Sequence, residues 1–134
     1  MNMQDSIFTK IINGDIPCHK VYEDDKTFAF MDIYPIQKGQ VVIVPKKQVG
    51  FVWDLPDEDY AALMLAVKKV GTKLRAVFPE KDRIGVMIEG LEVADHAHVK
   101  VFPFSAGGEY RALPTIDEPN QAELAEIAEK LRIS

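Results

Sequence analysis

The chemistry-bearing residues gather in one run, His96-Ala97-His98-Val99-Lys100-Val101-Phe102. In extended chain, side chains alternate between faces, so His96, His98 and Lys100 share one side at about 7 Å spacing while Ala97, Val99 and Val101 take the other. Burying three ionisable groups without partners is costly, which points to an anion site. The plainer alternative is a partly exposed strand face that carries polar residues for solubility. Three chemistries compete for the row. Zinc could use the HxH pair, but it needs a third ligand; only His19, Cys18 or a carboxylate remains, none at metal-type spacing, and Lys100 would repel the ion. A serine or cysteine nucleophile lacks support, since there is no GxSxG elbow and Cys18 has no partner pattern. A histidine nucleophile uses all three residues. Neutral imidazole can attack phosphorus, and Lys100 would keep His98 neutral by like-charge repulsion while stabilising phosphate oxygens. Neither a GxxxxGK[ST] loop nor a GxGxxG turn is present, so ATPase and Rossmann-type roles fall away.

These residues need a scaffold, and its elements follow from periodicity. Ile7, Phe8, Ile11 and Ile12 recur at helical spacing within 5–13, with Gly14 as the stop. CHKVYED and TFAFMDI read as a hairpin about Asp24-Asp25-Lys26, and a turn over 35–39 leads into QVVIVPK, completing a three-strand meander. From Leu55 the period changes. Tyr60, Leu63, Met64, Val67, Val70, Leu74, Val77 and Phe78 form one stripe of a long helix, with Asp54 and Asp57 at its positive end and Pro79 at its limit. RIGVMIE and HAHVKVF then extend the sheet across a loop containing Gly90. Residues 105–118 read as a loop or arm. Asn120 and Glu123 make a capping box before a terminal helix bearing Leu124, Ile127, Ala128 and Leu131. The expected fold class is α+β: a mainly antiparallel five-stranded sheet, a long core helix, and short N- and C-terminal helices in a single domain over 1–134.

Composition bounds the function. The 134 residues suit one core, and 47% hydrophobic with 28% charged residues is a globular balance. Sixteen Lys+Arg against 21 Asp+Glu give a net charge of −5, which argues against nucleic acid or an anionic membrane as partner and leaves any anionic ligand to a local site. The single cysteine excludes an intramolecular disulfide. No apolar run reaches bilayer length, and MNMQDSIFTK lacks the order of a secretory signal, so a cytoplasmic location is expected.

The order of these motifs resembles the histidine triad (HIT) family of nucleotide hydrolases and transferases, whose signature is HxHxHxx with apolar residues at x. SIFTKIINGDIP is similar to the family's N-terminal helix, KVYEDDKTFAFMDIYPIQKGQVVIVPK to its meander, DLPDEDYAALMLAVKKV to its long helix and GLEVADHAHVKVFPF to its triad strand. The resemblance implies that His98 is the nucleophile and that His96 supports its orientation. It matches Asp32 to the ribose-binding carboxylate, which can accept from both ribose hydroxyls, and places Phe30 and Ile33, with Val21 and Val42 beside them, around a purine base. Ordinary core packing is the alternative for those four, and turn capping before Pro35 the alternative for Asp32. It also implies a homodimer, consistent with an otherwise unpaired edge strand.

The departures are specific. The third triad position is Lys100, and Gln40 stands where a histidine usually follows Gly39. An ammonium surrenders a proton far less readily than an imidazolium, so leaving-group protonation would fall to water or to a shifted lysine; Gln40 offers an uncharged hydrogen bond. A related uridylyltransferase branch carries Gln at the third triad position. Many bacterial members hold zinc at positions that here read Ser6, Thr9 and Gln48, with only His96 retained, so no structural zinc is expected. Asp95 could pair with Lys100 or a histidine, or stand exposed. The reading is therefore hydrolysis or transfer of a nucleoside monophosphate, from a purine nucleotide or nucleoside phosphoramidate, through a covalent His98 intermediate, with no metal or cofactor. The alternative is a nucleotide-binding or regulatory protein with little turnover, motivated by Lys100 and Gln40.

Overall fold

The computed structural model describes residues 4–134. The first three residues of the expected domain, and of the stretch read for a leader, lie outside the described residues. The chain runs α1 (Ile7–Ile12), β1 (Lys20–Glu23), β2 (Thr27–Met31), β3 (Val41–Pro45), α2 (Asp57–Val77), β4 (Arg83–Met87), β5 (Val99–Phe104), α3 (Gly107–Tyr110) and α4 (Gln121–Leu131). The α+β class and the five-stranded antiparallel sheet are as expected. The strand order, β1-β2-β3-β5-β4, shows that the last strand inserts beside β3 and leaves β4 at the edge.

Sheet alternation divides the apolar residues between two layers. Val41, Ile43, Val99 and Val101 meet Leu63, Ala66, Val67, Val70 and Leu74 of α2 and Ile127 and Leu131 of α4 in the larger core. Phe28, Phe30, Val42 and Val44 face the other way, where Phe8 of α1 covers them. The α2 stripe is as read except at Tyr60, which is exposed, and a short 3-10 turn, Val52–Asp54, precedes the helix and takes Asp54 out of its first turn. Asn120 caps α4 by accepting from the Glu123 amide. Beyond α4 the Ile133 amide donates to the Val21 carbonyl at 2.9 Å, tying the chain end to the β1 edge. No helix among the described residues is long and apolar enough to cross a membrane.

Val21, expected beside the base pocket, is also moved away from its expected place. The β1–β2 register shifts between Lys20 and Tyr22, so Val21 and Tyr22 both enter the larger core, where Val21 is 1% exposed. The bulge puts two consecutive residues of β1 on the same face, where strict alternation would have turned one of them to the other side.

The turn between β2 and β3 depends on Gly39, at φ +94, where an added Cβ would lie 2.9 Å from the Phe78 ring. Gly39→Ala should therefore cost about 1–3 kcal/mol through backbone strain and overpacking. Urea unfolding should show a lower midpoint at unchanged slope; a midpoint equal to the parent's would mean that the turn and Phe78 adapt freely.

Candidate active site

His96 and His98 lie in the irregular lead-in to β5, His96 at a bend, and β5 itself begins at Val99. The alternation nonetheless holds: Ala97 joins the larger core, while His96, His98 and Lys100 are buried on the α1 side. Two features fix the lead-in. The Ala97 amide donates to the Val49 carbonyl at 2.7 Å, and Gly50 packs so closely on Ala94 that an added Cβ would lie 2.7 Å from its carbonyl oxygen.

Hydrogen bonding defines both imidazoles. The Pro45 carbonyl lies 2.7 Å from His96 Nε2, and a carbonyl can only accept, so Nε2 carries the proton. Nδ1 must then accept, and the Ser6 hydroxyl supplies the donor at 2.6 Å. Ser6 also caps α1, its Oγ accepting from the Thr9 amide at 3.0 Å. The Thr9 hydroxyl and the Ser6 amide both donate to Gln48 Oε1, at 2.8 and 2.9 Å. Every proton is accounted for with His96 neutral, and burial pushes its proton affinity below the ordinary value, the Pro45 contact opposing. His98 is held by its neighbour: Nδ1–H donates to the His96 carbonyl at 3.0 Å. In the neutral ring the Nε2 lone pair is then free.

The free nitrogen faces a cleft of about 270 Å³ lined by Phe8, Cys18, Phe30, Ile33, Val42 and Lys100, with Asp32 and Glu92 among its lining carboxylates. That is just under the ~300 Å³ from which small-molecule pockets usually start, and it suits one nucleoside. The Phe8 ring meets both imidazoles edge-on, with centroids 5.1 Å from His98 and 5.7 Å from His96. Ile33 is 42% exposed at the mouth. Burial pushes the Cys18 thiol up, away from nucleophilic use. A larger hollow of about 680 Å³ between α2 and β4 holds cations such as Arg75 and Lys81 but no histidine or cysteine.

Asp32 sits just past β2, where Oδ1 accepts from the Tyr34 amide at 2.9 Å and Oδ2 from Gln40 Nε2 at 2.7 Å. It is a turn residue and also a cleft residue. Each oxygen keeps a second lone pair, so the turn role does not exhaust it. Gln40 does not reach the cleft. It is buried, its Oε1 accepts from the Ile36 amide at 2.9 Å, and it acts on the site by aiming Asp32. Asp95 is exposed and acts on His96 through its charge alone, while Lys100 pairs with another carboxylate.

That partner, Glu89, is absent from the sequence-based candidates. Its Oε1 lies 3.4 Å from Lys100 Nζ and 3.7 Å from His98 Nε2, and Oε2 accepts from the Leu91 amide at 3.3 Å. The β4–β5 register explains the placement: Met87 pairs with Lys100, and two further residues along each chain set Glu89 opposite His98. The pairing register was the signal that could have found it. Composition and motif carry none.

The four positions that the resemblance assigns to zinc converge, but as a hydrogen-bonded cluster. Ser6, Thr9 and Gln48 offer neutral oxygens already engaged with one another and with His96, and no thiolate. Zinc sites are built from Cys, His and carboxylates, so this donor set does not fit the ion.

An antiparallel sheet with α2 and α4 on one face and α1 on the other, presenting an oriented imidazole beside a buried ammonium at the floor of an apolar cleft, defines the class. The HIT domain family model matches residues 13–106. The chain is 33% identical to the adenosine 5'-monophosphoramidase of Schizosaccharomyces pombe, over 94% of this chain and 98% of that protein. It is 32% identical to an uncharacterised HIT-like protein of Methanocaldococcus jannaschii over the same shares. A Hit-like protein of Bartonella henselae superposes with a TM-score of 0.84 at 30% identity, covering 98% of this chain and 96% of that one. A histidine triad nucleotide-binding protein of Candida albicans superposes at 0.69 with 29% identity, covering 95% and 94%. This chain belongs to the histidine triad family.

Removing the Ser6 hydroxyl orphans a buried ring nitrogen, so Ser6→Ala should destabilise the fold by about 1–3 kcal/mol, more than an average α1 cap alone would cost at a solvent-facing site. Acid should expose the same network. The folded His96 binds its proton below the unfolded value of 6.5, so its contribution is complete above pH 6.5 and declines as pH falls below it toward the folded value. Melting midpoints across that range should fall for the parent and fall less for His96→Asn; parallel profiles would show that His96 is not held neutral.

Proposed function

We propose that this chain is a single-domain HIT hydrolase or nucleotidyl transferase, acting on a purine nucleoside monophosphate derivative of the phosphoramidate type in the cytoplasm as a homodimer. The observation that carries the reading is the free Nε2 of His98, fixed by the His96 carbonyl and aimed into a nucleoside-sized cleft with Asp32 at its rim. The phosphoramidase activity named for the Schizosaccharomyces pombe relative supports the substrate class.

In the first step the His98 Nε2 lone pair attacks the α-phosphorus, which a bound substrate brings to about 3–3.5 Å. The phosphorus–nitrogen bond to the leaving amine breaks, and water supplies the amine's proton. In the second, water or another acceptor attacks phosphorus and gives its proton to solvent, where it balances the hydroxide left by the first step; the phosphorus–Nε2 bond breaks with its electron pair returning to His98, and the nucleoside monophosphate departs. Lys100, held in the low-dielectric floor, offsets charge on the phosphate oxygens. Asp32 accepts from ribose hydroxyls, and Phe30, Ile33 and Val42 wall the base. The scheme uses no metal and no cofactor.

A second reading, nucleotide binding with little turnover, draws on one observation: Lys100 is paired with Glu89 and no imidazole stands at the third triad position. Incubation with adenosine and guanosine phosphoramidates separates the two. Turnover should release the monophosphate and leave a nucleotidyl adduct on His98 by mass spectrometry, and His98→Asn should lower activity by at least about 10³-fold. Lys100→His should raise activity toward a poor leaving group, by up to about 10²-fold, since general acid catalysis lies in that range or above. Tight binding with no product and no adduct would favour the binding protein.

A further inference from the structure

A carboxylate stands against both groups that would meet a substrate's phosphate, from just outside the lining of the cleft. Any phosphorus attacked by His98 must lie beside Nε2, with its oxygens toward Lys100 Nζ, and Glu89 Oε1 stands 3.7 Å from the first and 3.4 Å from the second. The carboxylate is not loose there. Its other oxygen is tied to the Leu91 amide, and the side chain is 27% exposed. The remaining charges sharpen the point: among the described residues lining the cleft, Lys100 is the cation, and Asp32 and Glu92 are carboxylates. Glu89 thus cancels the ammonium before a substrate arrives, and each further negative charge on the ligand meets no free cation.

We infer that Glu89 is a specificity-determining residue that keeps the phosphate subsite near electrical neutrality, so that the site accepts a nucleoside phosphate ester or amide bearing one negative charge and disfavours one bearing two or more. The inference rests on the nucleotide reading above. A phosphoramidate with one ionised phosphate oxygen fits the rule. A nucleoside monophosphate, whose second ionisation lies near pH 6, and a polyphosphate chain do not. The reaction product is then repelled more strongly than the substrate, which favours release. A leaving amine that is cationic meets a carboxylate in place of bare ammonium.

Binding tests this without requiring turnover. Calorimetric titration at pH 8 would compare a nucleoside, its 5'-monophosphate and the methyl ester of that monophosphate, in the adenosine and guanosine series. Glu89→Gln and Glu89→Ala both remove the charge and differ in bulk, while Glu89→Asp keeps it. The charge-removing variants should bind the monophosphate at least about tenfold more tightly relative to the nucleoside, with a smaller gain for the methyl ester, and Glu89→Asp should retain the parent's order. Equal changes for all three ligands, or no gain for the monophosphate, would overturn the role of Glu89 while leaving the nucleotide site intact. Failure of the parent and every variant to bind the nucleoside or either ester would remove the nucleotide reading and this inference together.

Discussion

The candidate site depends on one buried imidazole having two partners. His96 joins three parts of the chain, donating to the end of β3 at Pro45 and accepting from Ser6 at the start of α1, while its own carbonyl orients His98. An average hydrogen bond contributes about 1 kcal/mol net, but an orphaned buried polar atom costs its full desolvation. The cluster therefore matters most as a constraint: once Pro45 and Ser6 are in place, His96 has one tautomer and one ring orientation. Ser6, Thr9 and Gln48 clamp the start of α1 to the chain beyond β3 and to His96 with neutral hydrogen bonds. The helix so clamped carries Phe8, whose ring packs on both imidazoles and closes the floor of the cleft.

Charge is arranged with similar economy. Lys100 enters the floor from β5 and is met by Glu89 from the chain leaving β4, so the pair enters the interior as an ion pair and not as a lone ammonium. A lone buried cation would be strongly unfavourable. This pairing also tempers the repulsion that Lys100 alone would exert on His98, because the same carboxylate oxygen faces both nitrogens. Lys100 is therefore one half of an ion pair that spans the position expected of phosphate.

How much of this was legible in the sequence varies by residue. Alternation alone placed His96, His98 and Lys100 on one face, even though regular strand structure begins only at Val99. Helical period recovered α2, and the Asn120 cap located the start of α4, although the Glu123 carboxylate pairs with Lys38 and does not complete the box. The HIT resemblance brought Asp32, Phe30, Ile33 and Val42 to one cleft, as the structure does. It failed at Val21, because a bulge is a local departure from period two that no pattern of residue types announces. It assigned Gln40 to the ligand, whereas burial turns that amide toward Asp32. Glu89 and the Ser6 cluster were invisible as groups, since each forms only through contacts between residues distant in the chain or across a register that sequence does not state.

Hydrogen bonds to backbone carbonyls set opposite neutral tautomers in the two histidines, which leaves the Nε2 lone pair of His98 free. Long-range proton–nitrogen NMR of imidazole-labelled protein at neutral pH reads this directly. The expected result is protonated Nε2 with unprotonated Nδ1 in His96, and a neutral His98 protonated at Nδ1 with Nε2 bare. A neutral His98 ring that carries its proton at Nε2, with Nδ1 bare, would contradict it.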